Sequence, residues 1–123
     1  MVTRISGKTL LAKLRRDEAL ILVDTLPTSA YRKGHLPGAI NILSDDILAQ
    51  APHRLPNRDA QIVVYCANGP CRRSDRAAER LIRLGYSNVR DYHEGKAGWL
   101  AAGLPLETGD EVGSPPPHDK PGA

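Results

Sequence analysis

Two stretches of this chain, "LILVD" (20–24) and "IVVYC" (62–66), are continuous runs of apolar, β-favouring residues with no alternation of polar positions. A strand that shows one face to water alternates; a continuous run marks a strand covered on both faces. "AINIL" (39–43) and "NVRDY" (88–92) are shorter runs of the same kind. Helical patterns fall among these runs. Leu10, Leu11 and Leu14 form one apolar stripe; Ala77, Ala78, Leu81 and Ile82 form another, which Gly85 in "RLGYSN" terminates. Alternating strands and helices predict an α/β fold, with a central, mostly parallel β-sheet and helices on both faces. In such sheets ligands gather at the carboxyl ends of the strands, and Cys66 stands at one of them.

The breaks "GHLPG" and "APHRLPN" carry turn residues, and 123 residues suffice for one core but not two. One domain is therefore expected over 1–107. From 108 to 123 the composition turns to Pro, Gly and charge with one aliphatic residue, too little apolar surface to offset ordering entropy, so a flexible tail is expected there. No stretch approaches the length of a membrane span, and "MVTRISGKTLLAKLRRDE" has charges where a signal peptide has its apolar region. A cytoplasmic protein is the expectation.

The net charge of +3 conceals a gradient. From Glu107 onward the chain carries a net of −3, leaving +6 on residues 1–106. That suits a small anionic partner better than a nucleic acid, which calls for a dense basic stripe. Arg76, Arg80 and Arg83 share a helix face, yet Glu79 can pair with Arg83 and no aromatic residues interleave, so a solvated face is expected.

Both cysteines lie in "YCANGPCRRSDRAAERL" (65–81). Two thiols are no disulfide framework, and histidines at 35, 53, 93 and 118 complete no zinc spacing. The thiols are expected to be reduced. The order strand, Cys66, loop Ala67, Asn68, Gly69, Pro70, Cys71, Arg72, Arg73, then a helix with Ser74 as N-cap and Asp75 in its first turn, aims backbone N–H groups and a helix dipole at one point. Such a point favours an anion: a thiolate, a bound oxyanion, or both. With Arg72 and Arg73 close by, the pKa of Cys66 is expected to fall from about 8.5 toward neutrality, making it a nucleophile in preference to a buried core residue. One of the two arginines is expected to face the anion. Cys71 is open between a second thiol that resolves an oxidised or persulfidated Cys66 and a plain loop residue.

These features resemble the single-domain rhodanese-like sulfurtransferases over about residues 4–107. The resemblance rests on "LILVDT", "YRKGHLPGAINI" (31–42), "IVVYC" followed by Arg-Ser before an Ala-Ala helix, and "EGKAGWLAAGLPLE" (94–107). It implies that Cys66 takes a sulfane sulfur from thiosulfate or a persulfide donor, carries it as a persulfide, and passes it to cyanide or a thiol, possibly a protein thiol. A covalent intermediate splits the transfer into two displacements, and inward N–H groups suit the anionic sulfur. No metal or organic cofactor is implied.

The chain departs from the family in three places. Six residues separate Cys66 from Arg73-Ser74, two more than is usual. The arginine usually found two places after the strand aspartate is absent, since Leu26 follows Asp24 and Thr25. The second glycine of "EGG" is Lys96. The longer loop also admits a cysteine phosphatase or arsenate reductase with Arg72 gripping the oxyanion, although Tyr65 replaces the usual histidine. A third reading is a non-catalytic redox module that cycles a Cys66–Cys71 disulfide. Asp24 and Ser74 are expected to support the loop; His35 is expected to be structural and Trp99 a core anchor.

Overall fold

The computed structural model describes residues 2–111. Its sheet has five parallel strands: β1 (Thr3–Arg4), β2 (Ile21–Asp24), β3 (Ile40–Asn41), β4 (Ile62–Tyr65) and β5 (Val89–Tyr92), in the order β1-β5-β4-β2-β3. The helices are α1 (Gly7–Arg15), α2 (Thr28–Lys33), α3 (Ile47–Arg54), α4 (Arg73–Arg83) and α5 (Gly95–Ala101), with a 3-10 turn at Ser44–Asp46. The α/β architecture with a parallel sheet is as expected. No described helix is long and apolar enough to cross a membrane.

The two continuous apolar runs became β2 and β4, side by side in the middle of the sheet with Val23 opposite Val64. Alternate residues of each strand enter opposite cores. Val23, Ile62, Val64 and Val89 pack with Ile47 and Leu55 of the α3 region and with Ala77, Ala78 and Leu81 of α4. Leu22, Val63, Tyr65 and Tyr92 pack on the other face with Leu10, Tyr31 and Trp99 from α1, α2 and α5. Full burial of Leu10 or Leu81 contributes about 1.5–3 kcal/mol each.

Helix α4 ends as its glycine demands. Gly85 takes φ +94°, its N–H donates to Ile82 O, and Tyr86 N–H donates to Leu81 O, which closes a Schellman motif. Ile82 is the exception in its stripe: it lies at the stripe's edge and is 39% exposed. Helix α3 runs through Pro52, so the break in "APHRLPN" comes only after Arg54. The carbonyls of Ala51 and Leu55 there accept bonds from the Tyr86 hydroxyl, at 3.0 and 2.6 Å. That tyrosine holds the end of α3 against the C-cap of α4.

The segment after α5 is strapped to the "GHLPG" turn. Trp99 Nε1 donates to Pro105 O, and His35 and Glu107 exchange two backbone bonds of 2.9 and 2.8 Å. His35 is wholly buried, stacked on Tyr31, with Nδ1 2.8 Å from Tyr31 O.

Bonded contacts continue beyond the expected boundary at Glu107. Gly109 N–H donates to Arg32 O, Asp110 pairs with Arg32, and Arg54 Nη2 donates to both carboxylate oxygens of Glu111 at 2.7 and 2.8 Å while Glu111 also accepts from Asn41 N–H. Charge pairing supplies here what apolar burial does not. The rest of the expected tail, 112–123, lies outside the described residues.

Candidate active site

Cys66 follows the last residue of the central strand β4 and is 1% exposed. Its Sγ lies 3.4 Å from Ser74 Oγ. Helix α4 starts at Arg73, with Arg72 in the cap position and no side-chain cap bond, so Ser74 is the second helical residue and not the expected N-cap. The reason is local: the Ser74 hydroxyl turns inward to the cysteine and is unavailable to the helix end.

The two thiols, expected to be reduced, are joined as a disulfide, with Cα atoms 6.4 Å apart. The loop curls enough to allow it because Cys71 N–H bonds to both the side chain and the carbonyl of Asn68, at 3.1 and 3.2 Å. That N–H was expected to join the inward anion cradle of Ala67 to Arg73; in this oxidised state Asn68 takes it instead. Gly69 and Pro70 form the outer bend. Both arginines are exposed; the Arg73 carbonyl accepts from Ser44 Oγ, while Arg72 lines a neighbouring cleft. Of the two arginines, Arg72 is therefore the one that faces a concave surface.

That cleft, of about 400 Å³, is lined by residues 69–72 together with Arg4, Asp75 and His93. Arg4 comes from β1 and His93 from just past the carboxyl end of β5. Arg72 lies 4.0 Å from Asp75.

The base of the loop is held from below by α5. Lys96 N–H donates to Cys66 O and Ala97 N–H to Ala67 O, at 3.0 and 2.9 Å. The approach is so close that a Cβ on Gly95 would collide with the Cys66 carbonyl, and Gly95 sits at φ +62°.

Two buried carboxyls flank β4. Asp24, with no exposed surface, accepts from Leu26 N–H and from the Tyr65 hydroxyl, and Lys96 Nζ lies 3.5 Å from its Oδ2. Burial raises its pKa, and the Leu26 N–H and Lys96 oppose the rise. Tyr65 in turn accepts from Leu36 N–H, so the residue in the place of a phosphatase histidine is tied into a structural network on the face away from α4. Asp91 of β5 is also wholly buried, and neither of its oxygens has a well-formed hydrogen bond among the described residues. Burial raises its pKa; the nearby Ser74 hydroxyl pulls the other way.

The structure thus gathers Cys66, Cys71, Arg72 and Ser74 around the loop and sets Asp24 one strand away, where its partners are Leu26, Tyr65 and Lys96 and not the loop. Arg80, expected on a solvated face, instead bonds Ser44 O and Oγ at 2.8 and 3.0 Å, and no Glu79–Arg83 pair is present among the described residues. His93, Arg4 and Asp91 were not expected at the site. Applying the strand-end rule to β5 as well as β4 would have found His93, and an aspartate in an inward strand position was a visible anomaly.

Residues 7–102 match the family described as the rhodanese-like domain. The chain is 37% identical over 102 residues to the HTH-type transcriptional regulator Rv0324 of Mycobacterium tuberculosis, a match covering 81% of this chain and 44% of that protein. It therefore spans less than half the length of that relative. It is 31% identical over 91 residues to the thiosulfate sulfurtransferase GlpE of Haemophilus influenzae, covering 74% of this chain and 83% of the relative. The fold superimposes with a TM-score of 0.80 on a thiosulfate sulfurtransferase from Pseudomonas aeruginosa at 22% identity, covering 89% of this chain and 21% of that one. With a parallel sheet, a cysteine at the tip of its central strand and a family match over most of its length, this chain belongs to the rhodanese-like domain family.

Proposed function

We propose that the protein is a sulfurtransferase that carries sulfane sulfur as a persulfide on Cys66. The observation that carries this reading is the position of Cys66 at the end of β4, its sulfur against Ser74 in the first turn of α4. A thiolate released there meets a hydroxyl and the positive end of a helix, which stabilise the nucleophilic form. With thiosulfate as donor, the Cys66 thiolate attacks the outer sulfur, the S–S bond breaks, and sulfite leaves with the bonding pair. The persulfide then yields its terminal sulfur to cyanide or a thiol, and the thiolate returns. Small anions are the natural donors at a rim carrying Arg72; nucleic acid and membrane have no part in this reading.

The test is intact mass of the reduced protein after incubation with thiosulfate, for the parent, Cys66→Ser and Cys71→Ser. A gain of one sulfur that requires Cys66 and is removed by cyanide as thiocyanate is expected. Full sulfur transfer by Cys66→Ser would overturn the assignment. The disulfide favours one second reading, the redox module; a protein that gains no sulfur but cycles between dithiol and disulfide would be that module.

A further inference from the structure

We propose that the cleft beside the loop is the docking site for the thiol that reduces the Cys66–Cys71 disulfide, that this thiol carries a carboxylate, and that it attacks Cys71. The inference rests on the sulfur-transfer reading only for its consequence, since a disulfide-bonded Cys66 cannot accept sulfur until it is freed.

Access selects the sulfur. Cys66 is 1% exposed behind the loop, whereas Cys71 is partly exposed and lines the cleft. Exchange rates depend on access to the attacked sulfur and on the stability of the leaving thiolate. Both criteria agree here, because attack on Cys71 expels Cys66 toward Ser74 Oγ, 3.4 Å away, at the start of α4.

Size and charge select the ligand. A volume of about 400 Å³ falls in the range of small-molecule sites. Arg4, Arg72 and the His93 imidazole line it with Asp75 as the one carboxylate; Asp75 lies by Arg72, and the buried Asp91 behind Arg4 and His93 does not line the cleft, so the Arg4 guanidinium is open to an incoming anion. A guanidinium binds a carboxylate through paired hydrogen bonds, so a small thiol acid fits better than a neutral or cationic thiol.

The chemistry balances with two equivalents of thiol. The first thiolate attacks Cys71 Sγ, the Cys66–Cys71 bond breaks, its electron pair leaves on Cys66, and a mixed disulfide remains on Cys71. The second thiolate attacks the ligand-side sulfur of that mixed disulfide and releases Cys71 as a thiolate. The protein disulfide gains two electrons, and two thiols leave as one small-molecule disulfide.

The experiment measures opening of the oxidised protein, without any sulfur donor, by glutathione, 2-mercaptoethanol and cysteamine, each rate corrected for its thiolate fraction. Glutathione is expected to be faster than cysteamine by about tenfold or more at low salt. The advantage should collapse at about 1 M salt, where the screening length is about 3 Å. Arg4→Gln should reduce the glutathione rate while leaving the 2-mercaptoethanol rate in place, and His93→Gln serves as a second variant should Arg4→Gln disturb β1. Acid quenching and peptide mapping should find glutathione on Cys71. Glutathione on Cys66, equal corrected rates for the three thiols, or opening only by a protein dithiol would each overturn the proposal. Protein that opens as described yet takes no sulfur from thiosulfate would sink the function and spare the cleft; protein that takes sulfur after equal opening by all thiols would do the reverse.

Discussion

Lys96 Nζ lies 3.5 Å from Oδ2 of Asp24, a carboxylate with no exposed surface, and donates to Ala30 O at 3.0 Å. Lys96, which stands where the family pattern has a glycine, thus places a cation beside this aspartate in a chain that has Leu26 where the pattern has an arginine.

Removing that cation strands a buried charge. Lys96→Met is expected to lower the unfolding free energy by about 3 kcal/mol, in the range for breaking one side of a buried pair. Asp24→Asn combined with Lys96→Met should recover a large part of the loss, giving a coupling above about 1 kcal/mol in urea denaturation. Additive losses would mean that the two residues act independently.

Ser74 is the hydroxyl nearest to the Cys66 sulfur. In the reduced protein, with Cys71→Ser as background, Ser74→Ala is expected to raise the Cys66 thiol pKa by about one unit, equivalent to about 1.4 kcal/mol. Below that pKa the thiolate fraction falls about tenfold and the rate of sulfur uptake about threefold, because the more basic thiolate is the better nucleophile. The pH dependence of iodoacetamide alkylation reads the thiol pKa directly. An unchanged profile would leave the helix terminus and Arg72 as the only stabilising groups.

The parts legible in the sequence are those written in one stretch of chain. "IVVYC" fixes β4 and therefore the place of Cys66, and Gly85 marks the end of α4 because only the positive-φ turn there explains it. What the linear chain conceals is who meets whom across elements. Arg4 reaches the cleft because β1, a strand of two residues with no readable period, joins the sheet beside β5. The choice between Arg72 and Arg73 depends on the helix starting two residues earlier than a Ser74 cap suggests. Lys96 and Asp24 are far apart in sequence, and only the fold brings the amine to the carboxyl.

Gly95 is a residue whose importance is geometric. Gly95→Ala would force a side chain onto the Cys66 carbonyl at a φ of +62°, with two α5 amides bonded to the loop alongside it. The left-handed backbone alone costs about 1 kcal/mol for a non-glycine residue, and relieving the collision by moving backbone adds about 1–3 kcal/mol. A loss of about 2–4 kcal/mol in denaturation is expected, together with faster hydrogen exchange at Lys96 and Ala97. Stability within about 0.5 kcal/mol of the parent would show that α5 does not brace the cysteine.

Asp91 gives a pH signature. Burial raises its folded pKa above the unfolded value, so between the two the native state binds more protons than the unfolded chain. Its contribution to stability is then full below the unfolded pKa, near about 3.9, and is lost as pH rises through the folded pKa. Asp24 contributes a slope of the same sign, so the comparison is between variant and parent at each pH. Asp91→Val replaces the carboxyl with a β-branched side chain suited to a strand whose neighbours on that face include Val64 and Val89. The variant is expected to be more stable than the parent by about 1–3 kcal/mol at pH 8, since it removes a buried group without a well-formed bond. The gain should shrink toward pH 4, as the parent's carboxyl takes up a proton. Urea denaturation at both pH values decides it: a difference that does not change with pH would place the benefit in packing, and a loss at pH 8 would mean that the carboxylate is bound by a donor that stabilises its charge.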